Sequence, residues 1–98
     1  MEKVIWSQEA RDWLREIHDY IAADNPAAAE RTIAGITAKA QILSRFPELG
    51  HRYAKYLERN VRIVLYGHFR IAYEVAPGAE IRILGVFHGA LDIERLLS

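Results

Sequence analysis

The stretch 61–89, VRIVLYGHFRIAYEVAPGAEIRILGVFHG, leaves few folds open to this chain. Its residues alternate with a period of two through three successive runs, which is the period of a pleated strand. Val61, Ile63 and Leu65 alternate with Arg62, Val64 and Tyr66. Phe69, Ile71, Tyr73 and Val75 alternate with Arg70, Ala72 and Glu74, and Ile81, Ile83 and Phe87 with Arg82, Leu84, Val86 and His88. Most of these side chains are β-branched or aromatic, which suits a pleated surface. Gly67-His68 and Pro77-Gly78 supply turn chemistry between the runs. Three consecutive antiparallel strands are predicted.

A slip of one residue moves every side chain of a strand to the other face, so loop length decides which sets share a face. Loops of odd length, Tyr66-Gly67-His68 and Pro77-Gly78-Ala79, keep the apolar sets together. They place Glu74 opposite Arg82, Val64 opposite Arg70, and His68 near His88. One face is then almost wholly apolar and needs cover. The other carries Arg62, Arg70, Arg82 and His88 among Val64, Ala72, Leu84 and Val86, with Tyr66 nearby. A bulge at Gly67 or Gly85 would break this parity locally.

The chain before the strands supplies the cover. Lys3 to Trp6 is predicted to be a short strand joining the same sheet. Ser7 is an N-cap candidate, with Glu9 well placed against the helix dipole. Ala10, Trp13, Leu14, Ile17, Tyr20 and Ile21 then recur at helical spacing as far as about Ala23. On the opposite face Arg15 is spaced to attract Asp12 and Asp19. Asp24-Asn25-Pro26 punctuates: Asn25 caps, and Pro26 fits the first helical position. The second helix is expected from Pro26 to about Arg45, burying Ala29, Ile33, Ile36, Ala40, Leu43 and Phe46, until Pro47 stops it. Gly35 in mid-helix costs about 1 kcal/mol relative to alanine, which points to a close contact there. Glu48 to Asn60 reads as a connection with a turn of helix at most, and Ala90 to Leu97 as a short helical tail. The expected architecture is α+β: an N-terminal strand, an antiparallel two-helix hairpin on one face of an antiparallel sheet, and a short C-terminal helical tail, all in one domain spanning 1–98.

Composition narrows the function classes. Net charge is zero, with 13 basic and 13 acidic side chains, so there is no global case for nucleic-acid binding. The middle is locally basic: Arg52, Lys55, Arg59, Arg62 and Arg70 stand against Glu58 alone in residues 51–73. There is no cysteine, hence no disulfide or thiolate metal site, which fits a cytoplasmic protein. No apolar run is long enough for a bilayer, so no membrane association is expected. The histidines at 18, 51, 68 and 88 have no metal-ligand spacing, and neither metal nor cofactor is expected. His18 and His51 read as surface residues without a sequence partner.

One constellation carries a chemical argument. Guanidinium groups stabilise phosphoryl charge and an imidazole moves protons near neutral pH, so Arg70, Arg82 and His88 are the candidates for RNA cleavage through the 2′-hydroxyl. A purely structural reading stands beside it: Arg82 pairs with Glu74, Arg70 lays its stem on Val64 and Val86, and His88 bonds backbone at a strand end. The half-apolar face also suggests a protein partner at Val64, Ala72, Leu84 and Val86.

Several stretches in this order resemble the RelE/ParE family of bacterial toxins. They are YIAADNPAAAERTIAGI, with Asp24-Asn25-Pro26 between the helices; Phe46-Pro47-Glu48-Leu49-Gly50; Phe69-Arg70-Ile71-Ala72-Tyr73; and His88-Gly89-Ala90-Leu91-Asp92. The resemblance spans nearly the whole chain and lies closer to the ParE branch: the helical hairpin is long, and the sheet has no lysine cluster. It implies the toxin of a type II toxin–antitoxin pair of the plasmid-stabilisation kind, held in a hetero-oligomer with a cognate antitoxin. A ParE-like member inhibits DNA gyrase by binding and is not an enzyme; a RelE-like member is an endoribonuclease acting on mRNA at the ribosome. A third alternative is a degenerate toxin that only binds its antitoxin. Target-binding candidates are Arg62, Arg70, Arg82, His88, Asp92 and Arg95, and antitoxin-binding candidates Val64, Ala72, Leu84 and Val86. Two positions depart from the family pattern: His51 follows Gly50 where arginine is common, and Leu91 stands where a basic residue is common.

Overall fold

In a computed structural model, the described residues are 3–53 and 59–88. The elements in order are β1 (Val4–Trp6), α1 (Gln8–Ala22), α2 (Pro26–Ile42), β2 (His51–Arg52), β3 (Val61–Tyr66), β4 (Phe69–Val75) and β5 (Ile81–Phe87). The expected tail at 90–97 lies outside the described residues.

Local chemistry sets the helix ends. Ser7 Oγ accepts the Ala10 N–H at 3.0 Å and opens α1; Asn25 Oδ1 accepts the Ala28 N–H at 3.1 Å and, with Pro26 behind it, opens α2. The helix α2 ends at Ile42, earlier than the expected Arg45, because Leu43 to Phe46 turn under short backbone bonds ahead of Pro47. Phe46 therefore leaves the buried stripe and is 59% exposed. Tyr20, expected in the stripe of α1, is 84% exposed. The other stripe residues of both helices are buried or half-buried.

The sheet has the order β1-β5-β4-β3-β2. It is mixed and not purely antiparallel, because β1 joins the outer edge of β5 in parallel register, Val4 beside Ile81. The two-residue strand β2, inside the predicted connection, pairs with Ile63 and Arg62 of β3. Beyond β1 the chain stays on the sheet edge: the Ser7 N–H donates to Ile83 O at 3.1 Å, and α1 rises from there over β5.

The two hairpins differ from expectation in an instructive way. The β4–β5 loop keeps the predicted parity, with Glu74 opposite Arg82 and positive φ at Gly78 and Ala79. The β3–β4 loop has two residues, not three: Tyr66 pairs with Phe69, and Gly67 takes φ of 57°, the sign a type II′ turn needs at its first central residue. An even loop inverts β3 relative to the expected register. Val64 now faces Ile71, and Leu65, not Val64, lies opposite Arg70. A register shift then skips Leu84, so Tyr73 pairs with Ile83 but Ala72 with Gly85, which is the bulge anticipated at Gly85.

The helix-covered face is therefore built from Val64 and Tyr66, the odd residues of β4, and Ile81, Ile83 and Val86. Ala10, Ile36, Ala40 and Leu43 pack on it. Tyr66 lies directly against Gly35: a Cβ at that position would fall 1.7 Å from its hydroxyl. The close contact inferred from a mid-helix glycine is thus helix-to-sheet. On the other face Ile63, Ala72 and Phe87 form a second, smaller cluster, with Trp13 edge-on to Phe87 at 5.3 Å.

Candidate functional site

The sequence motif Phe46-Pro47-Glu48-Leu49-Gly50 is a clamped loop. Tyr73 is fully buried, and its hydroxyl donates to Pro47 O at 2.7 Å while accepting the Gly50 N–H at 2.8 Å. Burial pushes this phenol upward from its ordinary value, so it holds the proton it donates. Opposite Tyr73 on β3, Arg62 donates to Gly50 O at 2.7 Å and to Glu48 O at 3.4 Å, while Asn60 Oδ1 accepts from its Nε at 3.0 Å. Gly50 is needed because a Cβ would lie 2.6 Å from the Ile63 carbonyl oxygen and 2.9 Å from the Tyr73 ring. This corrects the shared arginine face: Arg62 stands on the helix side of the sheet with its donors turned to loop backbone.

Arg70 and Arg82 do share the face turned away from the helices, where Val61, Ile63, Ala72 and Phe87 are buried, but not one place on it. Arg70 lies beside Leu65 and Phe87 at one end of β4, while Arg82 lies beside Glu74 at the other. Four residues of strand separate these ends, about 13 Å at 3.3 Å per residue. Arg82 Nε donates to Glu80 at 2.7 Å. The Glu74 carboxylate accepts two bonds from Arg59, at 2.9 and 3.1 Å, which lower its pKa from the ordinary value. The Glu74–Arg82 register was correct, yet the ion pair went to Arg59. Arg70 is half-buried and has no ion-pair partner among the described residues.

His88 lies elsewhere again. Its ring packs on Phe69 at 5.4 Å, from the helix-covered face, and on His68 at 6.3 Å, the neighbour the register predicted. Together with Trp13, Ile17 and Tyr20 it lines an open groove of about 500 Å³ between α1 and the ends of β4 and β5. The phosphate and proton-transfer candidates Arg70, Arg82 and His88 are not gathered around one point. Asp92 and Arg95 lie outside the described residues.

The partner face also needs correcting. Val64 and Val86 are buried in the core beneath the helices, because the even loop and the bulge turned them there. Ala72 is buried within the second cluster and Leu84 is half-buried beside it. Exposed apolar side chains sit elsewhere, at Leu65, Ile42, Phe46 and Leu49. Sequence reasoning also missed the hairpin's cross-link. His18 Nε2 meets Glu30 Oε2 of α2 at 2.8 Å and Nδ1 meets Asp19 at 3.2 Å; these carboxylates, Glu30 first, raise its pKa above 6.5. No local pattern announces Glu30, because the pairing exists only once the hairpin closes. Tyr73 could have been singled out as the one hydroxyl on the apolar side of β4, among Phe69, Ile71 and Val75.

Among the described residues no helix is long and apolar enough to cross a membrane, and no three His or acidic side chains are gathered to hold a metal ion. No curated protein matches the chain. A solved structure described as the chromosomal ParDE TA system from P. aeruginosa matches with a TM-score of 0.74 at 22% identity, covering 92% of this chain and 98% of that one, which shows the same fold. The family model described as the ParE toxin of the type II toxin–antitoxin system, parDE, matches residues 4–93. This chain belongs to the ParE toxin family of type II toxin–antitoxin systems.

Proposed function

We propose that this ParE-family toxin acts in the cytoplasm by binding DNA gyrase and that its partner antitoxin neutralises it by occupying its surface. The observation that carries the reading is the dispersal of the ribonuclease candidates. Arg70 and Arg82 sit about 13 Å apart along the sheet, Arg82 is engaged by Glu80, and His88 packs with Phe69 towards the helix side. In-line cleavage of RNA needs a proton-transfer group and a cation within hydrogen-bond reach of one phosphate. A toxin that acts by contact needs only an accessible surface. Arg70, half-buried and without an ion-pair partner among the described residues, offers a cation beside the exposed Leu65.

Supercoiling by gyrase and cleavage of mRNA on translating ribosomes, measured side by side with the purified toxin, test this. Inhibited supercoiling with intact mRNA is expected, and Arg70→Glu should relieve it. Cut mRNA that disappears in His88→Ala would replace this reading with the ribonuclease one. Tight antitoxin binding with neither activity would leave only the degenerate toxin.

A further inference from the structure

The chain has four histidines, and the fold treats them differently. Both ring nitrogens of His18 face carboxylates, Glu30 at 2.8 Å and Asp19 at 3.2 Å. His51 sits on the edge strand β2, with β3 between it and β4. His68 closes the two-residue turn between β3 and β4, and His88 follows the last residue of β5. Their ring centres are 6.3 Å apart, with the planes at 77°. They are far apart in sequence, so no motif spacing announces the pair; the register of β4 on β5 makes it.

Both side chains are exposed, and neither ring has a hydrogen bond or an ion pair among the described residues. Each neutral imidazole therefore keeps a nitrogen lone pair for a ligand. Phe69 backs the His88 ring at 5.4 Å, an apolar wall that restricts its swing and shields one side from water. A histidine nitrogen sits about 2.0–2.1 Å from a bound zinc ion, and about 1.1 Å from the centre of its own ring, so two rings on one tetrahedral ion stand about 5 Å apart. The observed 6.3 Å is wider than that by about 1 Å, which side-chain rotation at two exposed positions closes. Glu16 lines the groove that His88 borders, but no third acidic or histidine side chain is gathered with the pair among the described residues.

We propose that His68 and His88 bind a divalent transition-metal ion, zinc, nickel or copper, through one nitrogen each, with water in the remaining positions. Imidazole suits these ions, whereas magnesium and calcium take oxygen ligands. The bound ion ties the turn between β3 and β4 to the end of β5, two segments that no local contact in the sequence joins. The inference does not depend on which macromolecule the toxin targets.

The test is isothermal titration of the whole chain, purified without a histidine tag, with zinc, nickel and copper chlorides, and with magnesium chloride as the control. Wild type should bind a single transition-metal ion, copper most tightly, and no magnesium. Acidification should release the ion, because a ligating imidazole must be neutral. His68→Asn, which keeps a residue suited to the turn, and His88→Ala should each weaken binding by at least about tenfold, the least that loss of even an outer-shell partner costs. His51→Ala should bind as wild type does. Should either pair variant unfold at lower urea than wild type, NMR of the wild-type chain replaces it: zinc should shift the ring signals of His68 and His88 and leave those of His18 and His51 in place. Absence of binding by wild type, binding that survives both pair variants, or shifts at His18 or His51 instead would overturn the site and leave the two rings as an edge-on aromatic contact. Magnesium bound as tightly as zinc would assign the ion to carboxylates and overturn it equally.

Discussion

Arg62 and Arg70 sit on paired strands, carry the same group, and face opposite sides of the sheet. The guanidinium of Arg62 is spent on the carbonyls of Gly50 and Glu48 and on Asn60, and with Tyr73 it fixes the loop that leads from α2 into the sheet. Arg70 has no ion-pair partner among the described residues and stands beside the exposed Leu65. A basic residue whose donors are filled by its own backbone cannot serve a partner without breaking the fold. One left without a counter-charge at a half-buried position can. A motif match alone does not separate these two roles; the direction of the side chain does.

The contrast can be broken from the clamp side first. Tyr73→Phe leaves the Pro47 carbonyl and the Gly50 N–H without their bonds, at about 1–3 kcal/mol for each group that water does not reach. Thermal or urea unfolding should show the largest loss of any single change discussed here; near-wild-type stability would mean the clamp does not hold the loop. Gly50→Ala pushes a methyl group into the Ile63 carbonyl and the Tyr73 ring, and overpacking of this kind costs about 1–3 kcal/mol. Combined with Tyr73→Phe its cost should be less than additive, because both act on one loop.

Arg62→Met and Arg70→Met then sharpen the comparison. The first removes charge-assisted bonds to backbone and should destabilise by about 1.5–3 kcal/mol. The second should change unfolding by no more than about 0.5 kcal/mol, while relieving inhibition of supercoiling. Equal effects on stability would erase the distinction drawn between them. The smallest effect is the pH dependence of two cross-links. His18 has a folded pKa above 6.5, so its contribution is fully present below pH 6.5 and is lost as pH rises through the folded value. Glu74 is lowered by Arg59, so its contribution is present above pH 4.5 and is lost as pH falls through the folded value. Titration by NMR should find the histidine shifted upward, with the shift reduced in Glu30→Gln because Asp19 remains, and the carboxylate shifted downward.

The helices, their caps, the three long strands and the glycine contact at Gly35 were all legible in the chain, because each depends on residues close in sequence: Ser7 on Ala10, Asn25 on Ala28, and the alternation within each run. The candidate site was legible only as a set of residue types. Its members were assigned to faces by counting parity through two loops, and one uncounted residue at each of two points was enough to redistribute them. The two-residue turn at Gly67-His68 sent Arg62, Val64 and Tyr66 to the helix side, and the shift at Leu84 sent Val86 there and Phe87 away.

By itself, then, the sequence determined both helices and their N-caps, β1, the three long strands and the family to which they belong, since periodicity and capping are local. Only the tertiary structure decided which arginine holds a loop and which has no ion-pair partner among the described residues, which carboxylate Arg59 took from Arg82, and how His18 came to bridge the helices. These depend on register and on closure between distant segments. In a sheet a single residue of register reverses a face, and no local pattern records that count.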